Sequence, residues 1–374
     1  MATAFTVMQL LPALVAGGVE RSVIETAQAL VRQGHRAIVV SAGGKLVPEL
    51  EAIGAVHITL PIGRKSLATL RMIGALRQVI EKTQPHIIHA RSRLPAWVAH
   101  FALRGLRGVR PAFVTSVHGL NSPGRYSAIL TSGARVECVS NTVRDYVLAH
   151  YRQLDPQKLR VIERGIDPAR FPRGHRALPA WRERFHAEHP MLASRPFLLL
   201  PGRGTRLKGH AHAIALLAAL RLRGFDLALL LQGAQEVGRE RYLAELREQA
   251  KALGIDDRLI IAPSRPDIRE VMAESALVLQ LSNKPEAFGR TVAEALSLGK
   301  PVLGWNQGGT GELLARHFSQ GAVAPFDADA LAARAAELLS NPIKVPAFTG
   351  TTLEQMQAAT LALYREALQE RSHE

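Results

Sequence analysis

Glu286 and Glu294 have seven residues between them in the stretch Lys284-Pro-Glu-Ala-Phe-Gly-Arg-Thr-Val-Ala-Glu-Ala. Gly289 separates a loop from a helical period, so Glu286 falls on the loop and Glu294 on the helix. A carboxylate accepts hydrogen bonds from hydroxyls. A glycine lets backbone approach a ligand closely. The first turn of a helix offers unpaired N–H groups and the positive end of its dipole to phosphate. Together these suit a ligand that is both polyhydroxylated and anionic, as a nucleotide sugar is. A strand-like segment over 301–304 and then Gly308-Gly309 follow.

Three other groups have chemistry to offer. In Pro201-Gly-Arg203-Gly-Thr-Arg-Leu-Lys208-Gly209, after a strand and opening a helix, Arg203 and Lys208 can neutralise a diphosphate leaving group. The run lacks the G-K-[ST] ending of a Walker loop, and the role of Arg206 is open. Gly17-Gly18, after the first strand, permits close backbone approach at the start of a helix. His118, followed by Gly119 at the end of a strand, points into the cleft of a doubly wound sheet. His89 and Arg91, near the preceding strand, are further cleft candidates.

The elements that must hold these residues alternate along the chain. Strands are expected over 5–11, 36–41, 55–60, 86–90, 112–117, 135–139 and 159–162, with helices over 19–33, 66–82, 94–107 and 141–150 between them. The pattern breaks into Pro, Gly and Arg from about 164 to 178, which reads as a linker. A second series has strands over 197–201, 226–231, 259–262, 277–281, 301–304 and 321–324, and helices that include 209–223, 238–253 and 290–298. This is an α/β chain of two Rossmann-like doubly wound domains, 1–168 and 169–350, facing a central cleft. A last helix covers 351–369.

The block E-x-F-G-x-x-x-x-E, with Phe288, Gly289, Gly299-Lys-Pro-Val302 and Gly308-Gly309, resembles the signature of the retaining glycosyltransferases of family 4, which have the GT-B fold. Gly17-Gly18-Val-Glu20-Arg21 with Gly34-His35 is similar to the family's opening, so the resemblance runs from Gly17 to Glu312. It implies a nucleotide-diphosphate sugar donor, with UDP-sugars favoured and GDP-mannose the main competitor. By the same resemblance, Arg203 and Lys208 meet the diphosphate and Glu286 meets hydroxyls of the sugar. The amides of Phe288, Gly289 and Arg290 meet sugar and phosphate, Glu294 the ribose, and His118 the transferring sugar. The Gly17-Gly18 loop lies against donor phosphates or acceptor. His118, Glu286, Arg203 and Lys208 form the implied catalytic set.

The implied mechanism is a same-face displacement in which the departing phosphate helps deprotonate the acceptor. No Asp-x-Asp motif accompanies these residues, so metal independence is expected. No cofactor is expected, since the nucleotide sugar is a substrate. The helix over 351–374 is expected to cross back onto the first domain. Arg290 and Ala287 vary from the commonest residues at their positions. Trp305 stands where a small polar residue is usual. It stacks on the base, lines the sugar pocket or packs. Glu312 reads as a first-turn helix acid.

Charge narrows the partners. Of 374 residues, 47 are Lys or Arg and 32 Asp or Glu, a formal net charge of +15. Residues 60–135 carry 12 basic residues and the single acid Glu81. That asymmetry calls for an anionic partner: an anionic membrane surface, or an anionic glycolipid or lipid-linked glycan acceptor. Arg64, Lys65, Arg71, Arg77, Arg104 and Arg107 belong to this face. Nucleic acid is set aside, because only 5% of residues are aromatic and no nucleic-acid-binding signature is present.

The one cysteine, Cys138, excludes a disulfide framework. The apolar start lacks a basic residue before Arg21 and does not read as a signal peptide. A cytoplasmic location is expected, at most peripheral on the inner face of the cytoplasmic membrane, with a role in lipopolysaccharide or surface-polysaccharide synthesis. The rival readings are a nucleotide-sugar epimerase on the same fold, a phosphorylase, and a basic binding protein without catalysis.

Overall fold

The computed structural model describes residues 4–15, 17–64, 66 and 69–371. They form two units, Met1–Gly165 with Thr351–Glu374, and Ile166–Gly350. The first unit holds strands β1 (Thr6–Leu10), β2 (Arg36–Ser41), β3 (Val56–Thr59), β4 (Ile87–Ala90), β5 (Ala112–Val117), β6 (Arg135–Cys138) and β7 (Leu159–Val161). Their order is β3-β2-β1-β4-β5-β6-β7, with every neighbouring pair parallel.

Alternation along β1 shows how the faces are filled. Val7 and Leu11 pack with Val23, Ala27 and Leu30 of the helix Gly18–Arg32 and with Met356, Leu363 and Tyr364 of the last helix, Leu353–Arg371. Met8 and Leu10 pack on the opposite face with Leu76, Ile80, Val98 and Ala102, from the helices Thr69–Thr83 and Arg93–Arg104. Both faces are covered, so β1 is buried almost throughout, as parallel strands are.

The second unit repeats the plan with strands β8 (Phe197–Pro201), β9 (Ala228–Gln232), β10 (Leu259–Ala262), β11 (Leu277–Gln280), β12 (Val302–Trp305) and β13 (Ala322–Val323). Their order is β10-β9-β8-β11-β12-β13, again all parallel. In each sheet the order reverses beside the first strand, between β1 and β4 and between β8 and β11. Loops leaving the carboxyl ends of those strands part to opposite faces there and leave room for a ligand.

Each expected strand is present, with ends displaced by up to two residues; the strand expected over 226–231 is Ala228–Gln232. The sequence pattern did not single out helices Pro179–Glu188, Ile268–Glu274 and Ala328–Ser340, while Gly308–His317 is the helix on which Glu312 was read. Gly308–His317 opens with Gly-Gly-Thr-Gly, a loop-like composition. Close packing imposes it: a Cβ on Gly309 would lie 2.4 Å from the Phe288 Cα, and one on Gly311 2.7 Å from Asn306 Oδ1.

The segment expected to be a linker has no regular element before Pro179, yet it is anchored. Ile166 and Phe171 are each 3% exposed, and Ser297 Oγ donates to the Phe171 carbonyl at 2.8 Å. Lys65 of the basic face lies outside the described residues.

Candidate functional site

In the second unit the cations sit on the loop after β8 and the carboxylates after β11, the two strands that flank the switch point. Two glycines pin the cationic loop. A Cβ on Gly204 would fall 2.1 Å from the Ala234 carbonyl oxygen, and one on Gly209 1.8 Å from that of Leu281. Gly209 also has φ +73°, a left-handed conformation that costs a side chain strain. So held, Lys208 Nζ donates to Glu286 Oε1 at 2.6 Å. Ser282 Oγ donates to the same oxygen at 2.6 Å. Among the described residues Glu286 Oε2 has no hydrogen-bond donor.

Arg203 is exposed, and among the described residues its side chain makes no ion pair or hydrogen bond. Arg206 is committed elsewhere. It pairs with Glu245 and lies 5.0 Å over the Tyr242 ring.

The Glu286 loop is fixed from behind by the start of Gly308–His317. Gly309 N donates to the Glu286 carbonyl at 2.7 Å, and a Cβ on Gly308 would meet that oxygen at 2.6 Å. Gly289, with φ +93°, precedes the helix Arg290–Ser297. The Phe288 and Gly289 amides donate to no group among the described residues. They and the first turn of the helix are unpaired donors of the kind that can meet an anion. The Phe288 ring is 7% exposed and packs in the core, so only its backbone can face a ligand. Glu294 is held within its helix by Arg290, Nε to Oε1 at 3.1 Å.

Of the open residues, Trp305 packs. It is 1% exposed, with ring centroids 5.6 Å from His212 and 5.8 Å from Phe326. It still lines one small hollow with Ser282, Glu286, Gln307 and Thr310. Ser282, Gln307 and Thr310 are site residues that the motif spacing did not single out. Thr310 Oγ1 and Trp305 Nε1 are buried there without a protein hydrogen-bond partner. Glu312 lies beyond the first turn of its helix and pairs with Arg316 at 3.4 Å.

Among the described residues no group of three or more His, Cys, Asp or Glu gathers to hold a metal ion. Asp327-Ala-Asp329, an Asp-x-Asp triplet outside the motif blocks, is a helix cap: the Asp327 carboxylate accepts from Ala330 N at 2.9 Å.

In the first unit Gly17, with φ +147°, caps the helix Gly18–Arg32, and among the described residues nothing lies within 4 Å of a Cβ built on Gly18. Arg21 is tied to Glu49. His118 follows β5. Its Nδ1 lies 2.6 Å from Arg164 Nη2, and its Nε2 is buried without a protein partner. Burial, and then the Arg164 charge, push its pKa well below the ordinary histidine value, against the pull of Glu137.

His89 and Arg91 are 0% and 1% exposed and belong to a buried network instead of a ligand cleft. Arg91 Nη1 and Arg164 Nη1 hold the two oxygens of Glu137 at 3.0 and 2.9 Å. Ser116 Oγ donates to Glu137 Oε2 at 2.6 Å. Ser116 therefore accepts from His89 Nε2 at 2.5 Å, and His89 Nδ1 accepts from the Tyr364 hydroxyl at 2.8 Å. Burial pushes the Glu137 pKa up, but the Arg164 and Arg91 charges override it and hold the carboxyl at about 2.

Two doubly wound sheets in sequence, with a cation–carboxylate pair at the second switch point, define the GT-B architecture. Residues 16–170 match the Glycosyltransferase Family 4 domain and residues 182–353 the Glycosyl transferases group 1 domain. The chain belongs to the glycosyltransferases of this two-domain family.

It is similar to a glycosyltransferase from Rickettsia africae, at 28% identity and a TM-score of 0.85, covering 98% of this chain and 99% of that one. The Anabaena protein HepE, solved with UDP-glucose, shares the fold at 21% identity and a TM-score of 0.75, covering 99% and 98%. Alpha-maltose-1-phosphate synthase of Mycobacterium tuberculosis is 32% identical over 231 residues, 59% of this chain. That match spans 56% of the relative's length.

Proposed function

We propose that the protein is a retaining glycosyltransferase that moves a sugar from a nucleotide-diphosphate donor, a UDP-sugar, to a hydroxyl of a glycan or glycolipid. The observation that carries this reading is the Lys208–Glu286–Ser282 cluster beside the Gly289-capped helix. It sets a cation for the diphosphate and a carboxylate for sugar hydroxyls at one helix N-terminus. Lys208 and Arg203 stabilise charge developing on the departing diphosphate, without a metal. Glu286 Oε2 accepts from the sugar, the Phe288 and Gly289 amides donate to phosphate, and Glu294 turns from Arg290 to the ribose. The departing phosphate then accepts the acceptor's proton on the face where the new bond forms. The UDP-glucose complex of HepE supports the donor class.

The basic face supports an acceptor or surface of negative charge, as a lipopolysaccharide core or a lipid-linked glycan has. On this reading the enzyme works peripherally at the cytoplasmic membrane. Among the described residues no helix is long and apolar enough to cross a membrane. Arg64, Arg71, Arg104 and Arg107 are exposed, and Leu70 and Phe101 are 66% and 42% exposed on the same pair of helices as Arg71 and Arg104. Arg77 is half-buried, and its Nε donates to the Ala102 carbonyl at 3.3 Å.

The test is thermal stabilisation by nucleotide diphosphates. UDP at a hundred times its dissociation constant stabilises the native state by about 2.7 kcal/mol. The expected result is a rise with UDP, none with GDP, and loss of the UDP effect in Glu294→Ala. Folded Glu286→Ala, Lys208→Ala and Arg203→Ala lose nearly all transfer. No stabilisation by any nucleotide, or near-normal transfer by all three variants, would reject the reading.

A further inference from the structure

His118 is built into the first unit with one nitrogen spoken for. Its Nδ1 lies 2.6 Å from Arg164 Nη2. A guanidinium has donors only, so Nδ1 must be the bare lone pair and the ring proton sits on Nε2. That Nε2–H is buried and has no protein acceptor among the described residues. The other terminal nitrogen of the same guanidinium, Nη1, donates to Glu137 Oε1 at 2.9 Å and to Ser22 Oγ at 2.9 Å. Glu137 is in turn fixed by Arg91 and Ser116. The adjoining Gly165 allows this chain path, because a Cβ there would lie 2.5 Å from the Thr352 carbonyl oxygen at the approach to the last helix.

We propose that Arg164, clamped by Glu137 and Ser22, is a positioning residue that locks His118 as the neutral Nε2–H tautomer, so that His118 presents a hydrogen-bond donor, never a base, to an oxygen of the transferred sugar. The sugar in this statement rests on the transferase reading; the tautomer does not. A second proton on His118 would set an N–H against the guanidinium. The groups around the ring oppose that proton on balance. Arg164, Arg91 and His89 disfavour it and Glu137 alone favours it. Glu25, on the neighbouring helix, acts on Arg164. An orphaned, buried N–H is a costly thing to keep in a folded chain and is accounted for by a ligand acceptor.

The experiment reads the ring nitrogens of the full chain labelled with 15N-histidine, with the His118 signals assigned by their loss in His118→Gln. Without any ligand, His118 of the unaltered protein gives the neutral Nε2–H pattern and does not titrate from pH 8 down to the lowest pH at which the fold persists. A ring protonated on Nδ1, or one titrating near its ordinary value, overturns the proposal with no variant needed.

In Arg164→Met the tautomers mix and titration returns toward the ordinary histidine value, whereas Arg164→Lys, which keeps a donor toward Nδ1, preserves the Nε2–H form. An unchanged tautomer in Arg164→Met also overturns it. Sugar transfer supplies a second readout. Turnover of the unaltered protein shows no acid limb from His118, while Arg164→Met acquires one and loses at least tenfold in kcat with KM for the donor within threefold. If the tautomer is as stated and UDP fails to stabilise the protein, the transferase reading falls and the Arg164 assignment stands.

Discussion

Replacing Glu137 with Gln keeps the shape of the side chain and removes the one negative charge that Arg91 and Arg164 grip directly. Its carboxyl is held at about 2 in place of 4.5, a depression of roughly 2.5 pH units. At about 1.4 kcal/mol per unit this is about 3 kcal/mol of stability at neutral pH. The figure agrees with the roughly 3–5 kcal/mol that follows when one partner of a buried pair is removed and the other charges are stranded. For a unit of this size about 1 kcal/mol corresponds to roughly 2–4 °C, so the first unit should melt roughly 6–12 °C lower.

The sign with pH is fixed by the direction of the shift. The folded state prefers the carboxylate more than the unfolded chain does. The contribution is therefore whole above about 4.5 and fades as pH falls toward about 2. Differential scanning calorimetry of both proteins should show a gap that is constant near neutrality and narrows below about pH 4.5. A variant that melts within about 2 °C of the parent, or a gap that widens in acid, would show that Glu137 is not the charged centre of this network.

Two further outcomes are expected. Gly309→Ala drives a Cβ to 2.4 Å from the Phe288 Cα; it should cost about 1–3 kcal/mol and weaken UDP stabilisation by displacing the Glu286 loop. The control Gly74→Ala, in an exposed turn of Thr69–Thr83 with nothing within 4 Å, should gain roughly 0.4–1 kcal/mol, and calorimetry with and without UDP separates the two. The protein should sediment with anionic vesicles at low salt and not with neutral ones. The combined Arg71→Gln, Arg104→Gln and Arg107→Gln variant should bind roughly a hundredfold less, at about 1 kcal/mol per cation, and equal binding to neutral vesicles would remove the charge argument.

The two sheets were legible because apolar β-branched runs and helical periods alternate with little interruption, and a parallel sheet covered on both faces demands that pattern. The residues that gather at the second switch point were legible because their spacing is dense. Arg203, Lys208, Glu286 and Gly289 sit within short runs whose glycines announce close approach. What those residues touch was not legible. That Arg206 turns to Glu245 and Tyr242 depends on a helix 34 or more positions further along the chain. Trp305 reads as a candidate stacking residue in isolation, and only the approach of His212 and Phe326 makes it core.

The buried network escaped the sequence reading for a related reason. Gln9, His89, Ser116 and Glu137 are polar residues, each in a different strand of the first sheet. Parallel register sets Gln9 beside His89 and Ser116 beside Glu137, and Ser116 lies two residues beyond Val114, the partner of His89. A step of two keeps the face, so all four point toward the layer formed by Gly18–Arg32 and the last helix. The available signal was a polar residue near the carboxyl end of four adjacent strands. It becomes visible only once strand order is known, because β1 and β4 are neighbours in space and far apart in sequence.

Stability alone does not account for such a network. Two guanidiniums and a carboxylate taken from water recover little beyond their desolvation, and apolar side chains of the same volume commonly do as well or better. An apolar core at this place could carry the fold through the same Val7, Leu11, Ile87 and Val114 contacts that already line it. It could not donate to His118 Nδ1, which needs an N–H at 2.6 Å and in line. Nor could a lone arginine do so in a fixed pose, since it is the grip of Glu137 and Ser22 on Nη1 that aims Nη2. The charge cluster is therefore explained by the one task in its surroundings that requires a buried, oriented donor, which is to choose the nitrogen that carries the His118 proton.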